Sequence, residues 1–132
     1  MFYKGESVFA AIVARAIGNR RYHYVTETDL QSVLSGVLET EFRGVFEREY
    51  YLDGGRRIDF YSPGYGIGIE CKATHGTAGS TKAIVAQLMR YAEHPDIREL
   101  LFVGGSRVAV AVVPKRLCGK PVQGVLLRGA LA

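Results

Sequence analysis

The sequence predicts an α/β domain, and three patterns carry that prediction. Between Arg57 and Lys72, apolar and polar residues alternate with the period of two that a strand imposes, broken by a Ser62-Pro63-Gly64 turn. Leu30, Val33, Leu34, Val37 and Leu38 recur with the 3.6-residue period of a helix. A second helix over about 80–93 and an apolar strand over 100–103 follow the alternating region. With the apolar segment 45–52 counted as a strand, the order is helix, three strands, helix, strand.

Taken from the start, Ser7 is placed to cap a first helix with Phe9, Ile12, Val13, Ala16 and Ile17 on one face, ended by Gly18 and Asn19. This helix precedes the αβββαβ run and is an addition to it. Arg20 to Tyr24 forms a basic, aromatic connector. Thr28 and Gln31 have capping-box spacing at the start of the next helix, about Thr28 to Glu39. If the first turn includes Glu27, its carboxylate falls on the same arc as Leu30 and Leu34 and faces the sheet. The two short strands within 57–72, joined by the Ser62-Pro63-Gly64 turn, come next, then a small polar loop, Thr74 to Ser80. Beyond the strand at 100–103, periodicity leaves Val108 to Val113 open between strand and helix, and a last strand is expected over 122–127.

The alternating pair carries the chemistry. Ile58 and Phe60 are expected on one face with Asp59 on the other. Ile67, Ile69 and Cys71 share a face, leaving Glu70 and Lys72 opposite. Adjacent strands then bring two carboxylates and an ammonium together on one side of the sheet. Such a group suits a divalent metal beside a phosphate, because hard oxygen ligands hold magnesium and a lysine can orient water or neutralise developing charge.

An acidic residue, a hairpin and then Glu-x-Lys resembles the signature of the PD-(D/E)xK nuclease superfamily. Ile58 stands where the superfamily's name has proline. The αβββαβ order over about residues 25–105 is similar to that superfamily's core, and Gln87 to Tyr91 resembles the Gln-x-x-x-Tyr motif of RecB-type members. The resemblance implies a restriction-endonuclease-like fold, with a central mixed sheet flanked by helices and an extra N-terminal helix. It implies a nuclease that uses Mg2+, with Mn2+ as a substitute, and cuts DNA to leave a 5′-phosphate. Asp59, Glu70, the backbone carbonyl of Cys71 and Glu27 would hold metal. Lys72 would position water or stabilise charge, and Gln87 would orient either. By analogy with small members, the enzyme is expected to act on DNA structures or ends in recombination or repair, as junction resolvases do.

Each residue also has a structural reading. Asp59 can pair with Arg56 or Arg57, Glu70 and Lys72 can form an ion pair on a solvated strand, and Glu27 can serve the helix N-terminus. Glu47 and Glu49 alternate onto one face and either join the site or line an exposed edge. Tyr91 is read as packing or as a nucleic-acid contact, and His75, just after the site strand, as structural or as a contact. Arg20, Arg21 and Arg57, with Arg15 and Arg56, either line a nucleic-acid path on which Tyr22 and Tyr24 stack, or are scattered solvated charges. Gly64 to Gly68 has dinucleotide-loop spacing but precedes a strand, so that reading fails. Two rival functions remain: a non-catalytic DNA-binding or assembly subunit, and a site-specific restriction or homing endonuclease.

At 132 residues the chain fits one domain, 1–132, with a core that needs no staples. Hydrophobic content of 48% and charged content of 23% belong to an ordinary soluble protein, and a net charge of +4 permits nucleic-acid binding without requiring it. No zinc-site spacing, signal peptide or membrane span is read in it. Cys71, expected on a buried face, argues for a reducing compartment, the cytoplasm. A two-fold homodimer is expected from the apolar face of the first helix.

Overall fold

A computed structural model describes residues 7–73 and 78–129, with backbone alone at 78–80. Ten elements follow in order: α1 (Val8–Gly18), α2 (Glu27–Glu41), β1 (Glu47–Tyr51), β2 (Arg57–Ser62), β3 (Ile67–Lys72), α3 (Ala78–Ala92), β4 (Glu99–Gly104), α4 (Arg107–Ala111), β5 (Arg116–Leu117) and β6 (Lys120–Leu126). The strands form one mixed sheet of order β1-β2-β3-β4-β6-β5. β1, β2 and β3 are antiparallel neighbours, whereas β3, β4 and β6 run parallel. The protein is thus mixed α/β, with helices on both faces of a six-stranded sheet.

Two apolar clusters hold the layers together. On one face α1 and α2 contribute Val13, Ile17, Leu30 and Leu34, which pack on Phe60, Ile69, Leu101 and Val103. On the other, Ile84, Leu88 and Tyr91 of α3 and Ala109 of α4 cover Ile58, Leu100 and Phe102. β4 alternates strictly between the clusters and is buried along its whole length, as expected of a parallel strand covered on both faces. The apolar run 100–103 therefore reads correctly as a strand.

Several expectations change. The capping box of α2 is Thr26 with Asp29, not Thr28 with Gln31: the Thr26 hydroxyl accepts from the Asp29 amide and the Asp29 carboxylate accepts from that of Thr26. Two overlapping boxes were available, and the one that starts the helix earlier also lets Glu27 occupy its first turn. The α1 stripe is rotated, burying Ala10, Val13, Ala14 and Ile17 while Ile12 is exposed. α1 is therefore part of the main core, and Tyr22 and Tyr24 are buried in the same cluster. Buried rings cannot stack on bases, so the Tyr22–Tyr24 path is withdrawn. The Val108–Val113 ambiguity resolves to the short helix α4, capped by Ser106.

β2 departs from simple alternation at one place. Phe60 joins the α1–α2 cluster but Ile58, two residues earlier, joins the α3 cluster. The β1–β2 ladder pairs Arg48 with Phe60 and Tyr50 with Ile58 but omits Glu49 and Asp59 between them. Glu49 has a φ of 52°, a left-handed conformation uncommon for a residue with a side chain. This kink takes Asp59 out of the pleat and leaves Glu47 and Glu49 exposed on the edge.

Gly68, in the centre of β3, sits where a Cβ would lie 2.5 Å from Ile58 Cδ1 and 3.0 Å from Leu100 Cδ2. Gly68→Ala is expected to destabilise the fold by about 1–3 kcal/mol through overpacking. A denaturant midpoint equal to that of the parent would show that the α3-side cluster yields without cost.

Candidate functional site

The β2–β3 ladder ends at Phe60 opposite Ile69, so beyond that pair the strands part. Asp59 and Glu70 stand at the start of the gap. With no β2 carbonyl in register, the Cys71 amide donates to Asp59 Oδ2 at 2.8 Å, and the Cys71 thiol donates to the same oxygen at 3.3 Å. In return the Asp59 amide makes a long contact, 3.4 Å, to Glu70 Oε1. Each carboxylate thus caps main chain of the opposing strand. From the helix layer above, Gln31 of α2 donates to Asp59 Oδ1 at 2.9 Å.

Glu70 lies deeper, only 3% exposed. Burial, then the charge of Asp59, pushes its carboxyl up to about 8, with Lys72 opposing the rise. Lys72 Nζ stands 3.6 Å from Glu70 Oε2 and 3.9 Å from Glu27 Oε1. The ammonium thus faces two acids, Glu27 and Glu70, both beyond hydrogen-bond distance. Glu27 and Gln31 lie one turn apart on α2 and so reach the same seam. Because Thr26 and Asp29 already cap that helix, the Glu27 carboxylate is left for Lys72.

On the α3 side, Gln87 donates to the Tyr91 hydroxyl at 3.0 Å, and that hydroxyl donates to the Arg57 carbonyl at 2.8 Å. Burial, followed by the charges of Glu70 and Asp59, pushes the Tyr91 phenol well up, so it remains a donor. The buried ring walls the seam and presents no surface for nucleic acid. Burial and Asp59 likewise push the Cys71 thiol up strongly, so the sulfur is a protonated donor to Asp59.

Of the sequence candidates, Asp59, Glu70, Lys72, Cys71 and Glu27 meet in the seam, and Gln87 stands one hydrogen bond behind it through Tyr91. They do not lie on a single sheet face: Asp59 is reached from α2 and Glu70 from α3. Arg20 is elsewhere, ion-paired to Glu41, and Arg21 is exposed where its backbone bridges to Arg128. Arg57 is exposed over the Tyr51 ring. His75, with the rest of 74–77, lies outside the described residues, whereas 78–80 belong to α3 instead of a loop. Gln31 was missed as a site residue; its position four residues after Glu27 was the available signal.

Among the described residues no three His, Cys, Asp or Glu side chains converge as a ready ligand set, and no helix among them is long and apolar enough to cross a membrane. Comparison with protein-family models, curated proteins and solved structures gives no match.

The burial of Glu70 has a consequence for stability. Its carboxyl binds a proton in the folded state up to about pH 8, while in the unfolded chain it loses it near the ordinary 4.5. Between those values the folded state holds more protons, so this group's contribution falls as pH rises. In chelator, the melting temperature is expected to drop from pH 5 to pH 8, and Glu70→Gln should flatten that slope and raise stability at pH 8. Identical pH profiles for parent and variant would contradict the burial argument.

Proposed function

We propose that this chain is a metal-dependent nuclease of the PD-(D/E)xK type, hydrolysing phosphodiester bonds in DNA. The observation that carries the reading is the convergence of Asp59, Glu70 and Lys72 where β2 and β3 part. The order α2-β1-β2-β3-α3-β4 supports it, as does the placement of Gln87 and Tyr91 against the same seam. The whole restriction-endonuclease-like core, and a role on junctions or ends in recombination or repair, belong to this proposal.

Magnesium fits the donor set on chemical grounds. Two carboxylates of facing strands supply hard oxygens, and one of them is held in a buried place where burial and a neighbouring acid disfavour its charge. Magnesium takes one or two carboxylates, keeps several waters and completes its shell with substrate phosphate, so a third protein acid is not required. Manganese accepts the same ligands. Asp59 and Glu70 would hold the ion, with the Cys71 carbonyl as a further donor; bound there, it would supply Lewis acidity to the phosphate and lower the pKa of water.

The chain's own residues then have separable tasks. Gln31 and the Cys71 amide fix the Asp59 carboxylate. Glu27 and Glu70 hold the Lys72 ammonium at the seam, where it can orient a water or stabilise charge that develops on the phosphate. Gln87 holds Tyr91, which closes the α3 side against solvent. No nucleophilic side chain is needed.

Asp59→Asn and Lys72→Ala are expected to lower cleavage by at least about 100-fold, with melting temperatures near that of the parent. Glu27→Gln should cost about 10- to 100-fold through loss of the lysine's positioning, and at most ~1 kcal/mol of stability. The assay is cleavage of labelled single-stranded, duplex, flapped and four-way DNA with magnesium or manganese. Full activity in excess chelator, or in the Asp59 variant, would remove the reading.

A two-fold homodimer remains part of the proposal, since the outer side of α1 leaves Val8 and Ile12 exposed at 68% and 51%. The solution mass at micromolar concentration is expected to be twice the 14.5 kDa of the chain. A strictly monomeric mass, with and without DNA, would exclude it.

A further inference from the structure

Beside the seam, on the α3 side of β2, a cleft of about 390 Å³ is lined by Arg56, Arg57, Arg90, Tyr51, Gln87 and Tyr91. Its three guanidiniums are not alike. Arg56 donates to the Asp53 carboxylate at 2.8 Å and to the Arg90 carbonyl at 2.7 Å. The other Asp53 oxygen lies 3.1 Å from Nε2 of the buried His94, whose Nδ1 accepts from the Asp96 amide. With Nδ1 an acceptor, Nε2 is the donor, so a chain of bonds from α3 through the β1–β2 turn fixes Arg56 and balances its charge.

Arg57 and Arg90 are held less closely: Arg57 has a side-chain hydrogen bond to Tyr51 and the charges of Glu49 and Asp59 at longer range. Both are exposed, and among the described residues no carboxylate lies within 4.0 Å of either guanidinium. Arg57 lies 5.9 Å from the centre of the Tyr51 ring, which is 65% exposed. Two exposed cations without a close carboxylate and an exposed ring on one cleft match a phosphate with its attached nucleoside, since guanidinium forks fit phosphate oxygens and aromatic faces accept bases. Tyr91 is the common wall of cleft and seam, bonded to the Arg57 carbonyl and packed beside Glu70. Arg57 precedes Asp59 by two residues, ~6.6 Å along an extended strand, which is comparable to one step of a polynucleotide backbone.

We propose that this cleft is a phosphate-binding subsite, in which Arg57 and Arg90 grip a nucleic-acid phosphate adjoining the one at the Asp59–Glu70 seam. The subsite rests on the nuclease reading for its substrate and gives the chain its hold on the strand, in a place where Arg20 and Arg21 do not reach.

Binding in chelator tests this without cleavage. Fluorescent single-stranded and duplex oligonucleotides, each with a 5′-hydroxyl or a 5′-phosphate, are titrated over a range of salt with the parent, Arg57→Gln, Arg90→Gln and the double variant. Arg56 bonds to the main chain of Arg90, so that contact survives the substitutions, and melting curves check the fold. Each single change is expected to weaken binding about five- to tenfold and to reduce the slope of log affinity against log salt by about 1. Losses confined to 5′-phosphorylated probes assign the subsite to a terminal phosphate, and equal losses to an internal one; both support it. Unchanged affinity and slope in the double variant overturn it, whatever the cleavage rate, as does a parent that binds none of the probes. Weakened binding by the double variant of a parent that never cleaves would uphold the subsite and defeat the nuclease reading.

Discussion

The exchange of main-chain partners between Asp59 and Glu70 is the interaction on which the arrangement of the sheet and site depends. A continued β2–β3 ladder would pair both strands' amides with carbonyls and leave no room between them. Here the Cys71 amide is satisfied by the Asp59 carboxylate instead, so the strands can part without leaving that donor buried and unpaired, a cost of about 1–3 kcal/mol. The left-handed Glu49 on the neighbouring strand stands opposite Asp59, at the pair the β1–β2 ladder omits. One kink thus opens the sheet, lifts Asp59 out of the pleat and brings the two acids together.

Such a seam is expensive to maintain. Glu70 is buried beside a second carboxylate, with an ammonium too distant to hydrogen-bond, and the ionised form is disfavoured there. The surroundings hold it in place by packing. Ile69 and Cys71 of β3 pack in the α1–α2 cluster, and Gly68 of the same strand lies against Ile58, Ile97 and Leu100 of the α3 cluster. Because both faces of β3 are committed to different cores, its acid cannot rotate towards water without moving the strand. Strain and unfavourable charge retained within an otherwise consistent fold are what a functional site is expected to show.

The two helix layers divide the labour around this line. α2 brings Gln31 and Glu27 to the outer side, fixing Asp59 and facing Lys72. α3 brings Gln87 and Tyr91 to the inner side, closing it and tying it to Arg57. The arginine cleft lies beyond Tyr91, so one buried hydroxyl links the acidic seam to a basic surface. Under the proposed nuclease reading, these opposite charges side by side, with one aromatic ring between them, would serve a reacting phosphate that needs a cation and a neighbouring phosphate that needs an arginine.

The sequence by itself determined the main helices and strands and which acids and lysine lie on β2 and β3. Periodicity placed α2, β2, β3 and β4, because a helix or strand with one apolar face must repeat at 3.6 or 2 residues. Glu70 and Lys72 were legible because alternation on β3 sets them apart from the buried Cys71, whereas the alternation expected of β2 failed at Asp59. Period alone was silent where two solutions satisfy it, as with the overlapping capping boxes at Thr26 and Thr28, or where a run is short, as in Arg107–Ala111. Tertiary structure decided what depends on contacts distant in the chain. It rotated the α1 stripe, buried Tyr22 and Tyr24, and ended the β2–β3 ladder at Phe60. It also brought Arg57 and Arg90, 33 residues apart, to one cleft. Local patterns fix which face of an element is apolar; which neighbours that face meets, and where a ladder stops, depend on packing that no single segment encodes.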